Sequence, residues 1–160
     1  MKSMIAYLYT FNRAENRYMW EGINQLSSEQ WLNPHEYSRG SIQNHIVHVM
    51  YTTTRWTYGL RGFGSMPPLE PAVFPEIAPA YLRWQELWGE IDSYVLGLSN
   101  EELAERVPWG LPRRGLNGAA PLWQLLLHLV NHALDHRVQV MMLLQDVFNL
   151  AVEKEMPSCL

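Results

Sequence analysis

The sequence predicts an all-α fold, a four-helix bundle with a long crossover loop between its second and third helices. Three observations carry this. Four stretches repeat apolar residues at three- and four-residue steps, the period of a helix with one buried face. Six structure breakers (Gly62, Gly64, Pro67, Pro68, Pro71 and Pro75) fall together between the second and third stretches. No segment sustains the alternation of a half-buried strand. A chain of 160 residues suffices for one core and is short for two, so residues 1–160 read as a single domain.

The first helix carries Met4, Tyr7, Leu8, Phe11, Ala14 and Tyr18 as its stripe, continued by Met19, Ile23 and Leu26, and ends near Ser27-Ser28. Ser27 stands three residues before Gln30, a capping box that opens a short turn of helix. Ser41 is the N-cap of the second helix, whose seam is Ile42, Ile46, Val49, Thr53, Trp56 and Leu60. The third helix spans about 78–97 with Tyr81, Trp84, Leu87, Trp88, Ile91 and Val95 on one side, and Ser99 with Glu102 forms a second capping box. The segment VPWGLPRRGLNGAAP reads as loop with short extended pieces. The fourth helix runs over about 121–150, with Pro121 in the first turn, where its missing N–H costs nothing. Its seam is Leu122, Leu126, Leu129, Ala133, His136, Val140, Leu143 and Val147.

Composition narrows the function classes. Hydrophobic residues are 48% and charged residues 18%, the balance of a folded chain. The net charge is −4, and the nearest approach to a basic run is Arg113-Arg114, which argues against a nucleic-acid footprint. The single cysteine, Cys159, rules out an intrachain disulfide and fits a reducing compartment. No apolar run approaches the roughly 18–20 residues of a membrane span or builds a signal segment at the N-terminus. The expectation is a soluble cytoplasmic protein. Seven Trp and eight Tyr are chiefly core filler, with Trp56, Trp109 and Trp123 as candidate pocket walls.

The six histidines are the informative feature. His128, His132 and His136 stand four apart on the fourth helix, one above another on a single face. The second helix adds His45 and His48. A lone buried histidine is more often a hydrogen-bonded core residue than a ligand. A ladder of them facing more on a second helix reverses that balance, because one ion satisfies several buried imidazole lone pairs at once. Two histidines from one helix and a third from its neighbour suit a metal that takes imidazole nitrogen at about 2.0–2.1 Å. At about 100° per residue, His45 lies nearer the core seam than His48, and spacing alone favours His45 as the third ligand. All these side chains fall along one edge of the core, where an ion keeps open positions towards a cleft. The HExxH protease form is absent, since Leu129 and Ala133 follow His128 and His132.

Two segments bring a family into view. SIQNHIVHV (41–49) resembles the second-helix motif of the DinB superfamily, the bundle proteins named for DNA-damage-inducible members, and LWQLLLHLVNHALDHRVQVMMLL (122–144) resembles its last-helix motif, an Asn-His pair followed four residues on by His-Arg. The SSEQWL turn, the Pro-rich loop and the layout agree, so the likeness spans nearly the whole chain. Val138 stands where the family usually has Gly, and Asp135 where another polar residue or His is common. The resemblance implies a metal triad of His48, His132 and His136, with His45 the alternative ligand. It leaves His128 and Asn131 as neighbours that contact a bound cofactor. It also implies a zinc, nickel or similar ion, a homodimer, and for some members transfer of a low-molecular-weight thiol of the bacillithiol or mycothiol type. The family's name does not imply DNA binding.

Three functions follow as expectations. The first is a metal-dependent thiol S-transferase acting on small electrophiles, with Arg113 and Arg114 pairing with carboxylates of the thiol. The second is a hydrolase with a metal-bound water as nucleophile and Asp135, Glu15 or Glu21 as base. The third is a non-enzymatic dimer that binds a metal or small molecule.

Overall fold

The computed structural model describes residues 1–64, 66–111 and 114–150. Arg113 and Cys159 lie outside the described residues. Four long helices make the bundle: α1 (Lys2–Ile23), α3 (Ile42–Leu60), α4 (Ile77–Gly97) and α6 (Leu122–Asp146). Two short helices, α2 (Ser28–Leu32) and α5 (Asn100–Ala104), start at the two predicted capping boxes. Ser27 Oγ accepts from Gln30 N at 3.2 Å while Gln30 Oε1 accepts from Ser27 N at 2.8 Å. Ser99 and Glu102 repeat the exchange. Ser41 caps α3 by accepting from Asn44 N at 3.1 Å. The crossover between α3 and α4 holds one 3-10 turn, Pro71–Val73, and is pinned to the core. Gln43 Nε2 donates to the carbonyls of Pro71 and Phe74, and the fully buried Trp31 donates to Phe74 O at 3.0 Å.

The seams of α3, α4 and α6 are where the periodicity puts them, except that Trp56, Leu60 and Tyr81 are only half-buried. Ile42, Ile46 and Val49 on α3, Trp84, Leu87, Trp88, Ile91 and Val95 on α4, and Leu122, Leu126, Leu129, Ala133, His136, Val140 and Leu143 on α6 are all buried. Val147, expected on that last seam, lies just past the end of α6 and is exposed. On α1 the later part of the expected stripe holds, with Tyr18, Met19 and Ile23 buried, but the earlier part is rotated: Met4 and Tyr7 are exposed, and Ile5, Tyr9, Asn12 and Asn16 face the core. Polar residues occupy that face because Arg137 of α6 is buried against it. Its guanidinium donates to Asn12 Oδ1 at 2.6 Å, Asn12 O at 3.3 Å and Asn16 Oδ1 at 3.0 Å; burial lowers its pKa and the nearby Glu15 charge partly opposes that. A buried cation needs such partners, and they displace the apolar pattern by one position.

The stretch that reads as loop with short extended pieces is a β-hairpin, its extended pieces longer than expected and paired. β1 (Arg106–Leu111) pairs antiparallel with β2 (Leu116–Pro121), from Arg106 opposite Pro121 to Leu111 opposite Leu116. Pro108, Gly110, Gly118 and Pro121 hide these strands from propensity and alternation. Tertiary context holds them, since β1 packs against α3 and β2 against α6. Leu122 N donates to Glu105 O at 2.9 Å, so the hairpin closes directly onto the start of α6.

Candidate metal centre

α3 and α6 run antiparallel where their histidines meet, so successive turns pair His45 with His136, His48 with His132, and Trp56 with His128. His48, His132 and His136 converge, each offering one nitrogen within 4.8 Å of the others. The Nε2 atoms of His48 and His132 are 3.3 Å apart. Two nitrogens at about 2.0–2.1 Å on a tetrahedral ion are separated by roughly that distance, so the three side chains suit a divalent metal with little movement. His136 is buried and the other two half-buried. The cluster therefore sits at the edge of the core, as its angular offset predicts.

His45, which spacing favours as third ligand, stands elsewhere. It is fully buried and its Nδ1 lies 2.9 Å from Nδ1 of His136. One of these nitrogens donates and the other accepts, which orients the His136 ring and leaves its Nε2 free for the cluster. The remaining ring nitrogen of His45, Nε2, is buried with no partner among the described residues, as is Nδ1 of His132.

Burial holds these imidazoles neutral. It pushes the pKa of His48 and of His45 down to about 4, with the nearby Arg39 charge adding to the effect. His136 falls to about 3, through burial first and its neighbouring imidazoles next. His132 is lowered by burial and by His128 and Arg39, partly opposed by Asp135. A neutral imidazole is the metal-binding form.

Arg39 is a site residue that sequence reasoning missed. It lies on the loop before α3, exposed, and its Nη2 donates to His48 Nε2 at 2.9 Å. Guanidinium carries no acceptor, so this contact puts the lone pair of His48 on Nε2. Asn44 Nδ2 holds the Arg39 carbonyl at 2.9 Å. Gly40, in the left-handed region at φ +91°, turns the chain from Arg39 into α3. The one available signal was the N-cap Ser41 itself, since a residue just before a helix start can reach one two turns in.

Other expected residues are more scattered. His128 is exposed; its ring lies 6.5 Å from that of His132 and 5.5 Å from Trp56. Asn131 and Arg114 are exposed, with no hydrogen bond to the cluster among the described residues. Of the carboxylates, Asp135 and Glu21 are exposed and Glu15 is buried beside Arg137. A groove of about 500 Å³ between α1 and α4 is separated from the histidines by Trp84, and its arginines already pair with Asp92 and Glu21.

This arrangement sits in a chain that matches the DinB family over residues 1–147. The protein belongs to the DinB family. The three-histidine cluster fits the metal-binding motif of that family. No curated protein is significantly similar to the chain. Among the described residues no helix is long and apolar enough to cross a membrane.

Proposed function

We propose that His48, His132 and His136 bind one divalent metal ion, and that this DinB-family protein is a metal-dependent S-transferase joining a low-molecular-weight thiol to a small electrophile. The observation that carries the reading is the apposition of His48 Nε2 and His132 Nε2 at 3.3 Å beside a buried His136, with all three imidazoles held neutral. Zinc or nickel is the ion of this reading, because both accept imidazole nitrogen. When bound, such an ion supplies Lewis acidity that favours a thiolate over a thiol near neutral pH.

The chain's own residues do the rest. His45 orients His136 through the paired Nδ1 atoms. Arg39, exposed and next to His48, takes the role that the sequence reading gave to Arg113 and Arg114: it pairs with a carboxylate of the thiol once His48 Nε2 is engaged. The thiolate sulfur then forms a bond to the electrophilic carbon as the leaving group departs with its electron pair, and the thiol proton passes to solvent. Cytoplasmic location and a homodimeric state belong to the same reading. They rest on the lone cysteine and on the family likeness.

The test is conjugation of monochlorobimane with bacillithiol, mycothiol or glutathione by the metal-loaded protein, together with elemental analysis of gently purified protein. The expected result is stoichiometric metal and a conjugation rate that the His48→Ala variant loses. Equal rates for the two proteins would overturn the transferase reading. Turnover of esters or amides without any thiol would put a hydrolase in its place. Stoichiometric metal with neither activity would leave a metal-binding dimer.

A further inference from the structure

Two turns along α3 from His48, that helix, the loop after it and β1 of the hairpin border an open pocket of about 390 Å³. It is lined by Arg55, Trp56, Leu60, Pro108, Trp109 and the backbone of several glycines. This is the volume of a small-molecule pocket. Its continuity with the metal centre runs through ring contacts: Trp56 lines the cavity and meets His128 edge-on at 5.5 Å, and His128 lies 6.5 Å from His132. On α3 the step from His48 to Trp56 is eight residues, a rise of about 12 Å.

The lining has a definite chemistry. Two indoles, a leucine and a proline present flat apolar surface, and Arg55 is the one charged group among them. Among the described residues no carboxylate pairs with Arg55. Glycine is used where bulk would close the space: a Cβ on Gly118 would come within 3.1 Å of Trp109 Cε2, Cζ2 and Nε1, so the indole rests against a missing side chain. Sugar- or peptide-bearing thiols are polar and suit the open side of the cluster near Arg39. An apolar, indole-walled cavity suits the other reactant.

We propose that this cavity is the electrophile subsite of the metal centre and takes a planar apolar or aromatic group carrying one anionic substituent, the ring against Trp56 and Trp109 and the anion on Arg55. The assignment of a reactant rests on the S-transferase reading; the binding preference itself does not. Arg55 and Trp109 are the specificity-determining residues, and Gly118 positions Trp109.

The probe is 2-naphthoate, with neutral 2-naphthalenemethanol as its comparison, titrated into the full-length protein by calorimetry. The naphthoate is expected to bind saturably and at least tenfold more tightly than the alcohol, and Arg55→Gln is expected to abolish that difference. Gly118→Val is expected to weaken both ligands tenfold by driving the indole into the cavity; if that variant misfolds, Trp109→Ala serves the same purpose. With copper(II), a slowly relaxing ion that imidazole binds well, at the histidines, the naphthoate proton signals are expected to broaden, because the ion lies about 12 Å away along α3. His132→Ala should remove the broadening and leave naphthoate affinity within threefold, which separates failure of the metal reading from failure of this one. No saturable binding, equal affinity for acid and alcohol, or unchanged preference in Arg55→Gln overturns the proposal.

Discussion

The metal affinity of the three-histidine cluster should barely depend on pH over a range that disables ordinary histidine sites. Each ligand imidazole must be neutral to bind. Three imidazoles with the ordinary pKa of about 6.5 would each be protonated about tenfold more at pH 5.5 than at pH 7.5 allows, and affinity would drop roughly a thousandfold between the two. Here burial lowers His48 to about 4 and His136 to about 3, so neither competes with protons at pH 5.5. Taking His132 at the ordinary value as an upper bound, although burial lowers it too, the total loss is at most about tenfold. Competition of zinc-loaded protein against a chelator of known pH dependence, at pH 7.5, 6.5 and 5.5, measures this directly. A loss near a thousandfold would refute the reasoning, because it would mean that the folded environment does not hold the imidazoles neutral. The same shifts act on the metal-free fold. The unfolded chain binds more protons than the folded one between about pH 6.5 and the depressed values near 4. The contribution of these histidines to stability is therefore present above pH 6.5 and is lost as pH falls through that window.

Other outcomes follow from single contacts. His45→Leu keeps the three ligands but removes the Nδ1 partner of His136, and is expected to weaken zinc binding about 10- to 100-fold; unchanged affinity in a chelator titration would count against an orienting role. Arg137→Met strands the carbonyl oxygens of Asn12 and Asn16 and should cost about 3–5 kcal/mol in urea denaturation. That corresponds to a melting temperature lower by roughly 6–20 °C for a chain of this size, and a loss under about 1 kcal/mol would show that the network is not the reason for the polar face of α1. Ser99→Ala removes the Oγ that accepts from Glu102 N at the start of α5, leaving the backbone N–H of residue 99 on Glu102 Oε2, and is expected to cost about 1 kcal/mol by the same measurement, with Ser99→Thr close to wild type.

Much of the bundle is legible locally. Capping boxes are encoded within four residues, and Ser27, Ser41 and Ser99 all act where the sequence places them. The seams of α3, α4 and α6 are legible because their buried positions are mainly apolar. The first part of α1 is misread for the opposite reason: Asn12, Glu15 and Asn16 face inwards to satisfy Arg137, a residue 121 positions and more away along the chain. The hairpin is hidden because its strands are built from residues that strands usually avoid, and are held by packing on α3 and α6.

At the histidines the division is sharper. A four-residue spacing on one helix determines by itself that His132 and His136 share a face, and this pair is sound from sequence alone. The third member is a relation between two helices. Angular position on α3 gives the direction of His45 and His48 from one axis, but not the axial register or offset of α6, and those decide which imidazole meets His132 and which backs onto His136. Only the tertiary structure brings His48 Nε2 to 3.3 Å from His132 and tucks His45 behind the cluster. It alone also lays Arg39 over His48 and Trp109 against Gly118, because contacts between separate elements depend on packing distances that no periodicity along one chain segment contains.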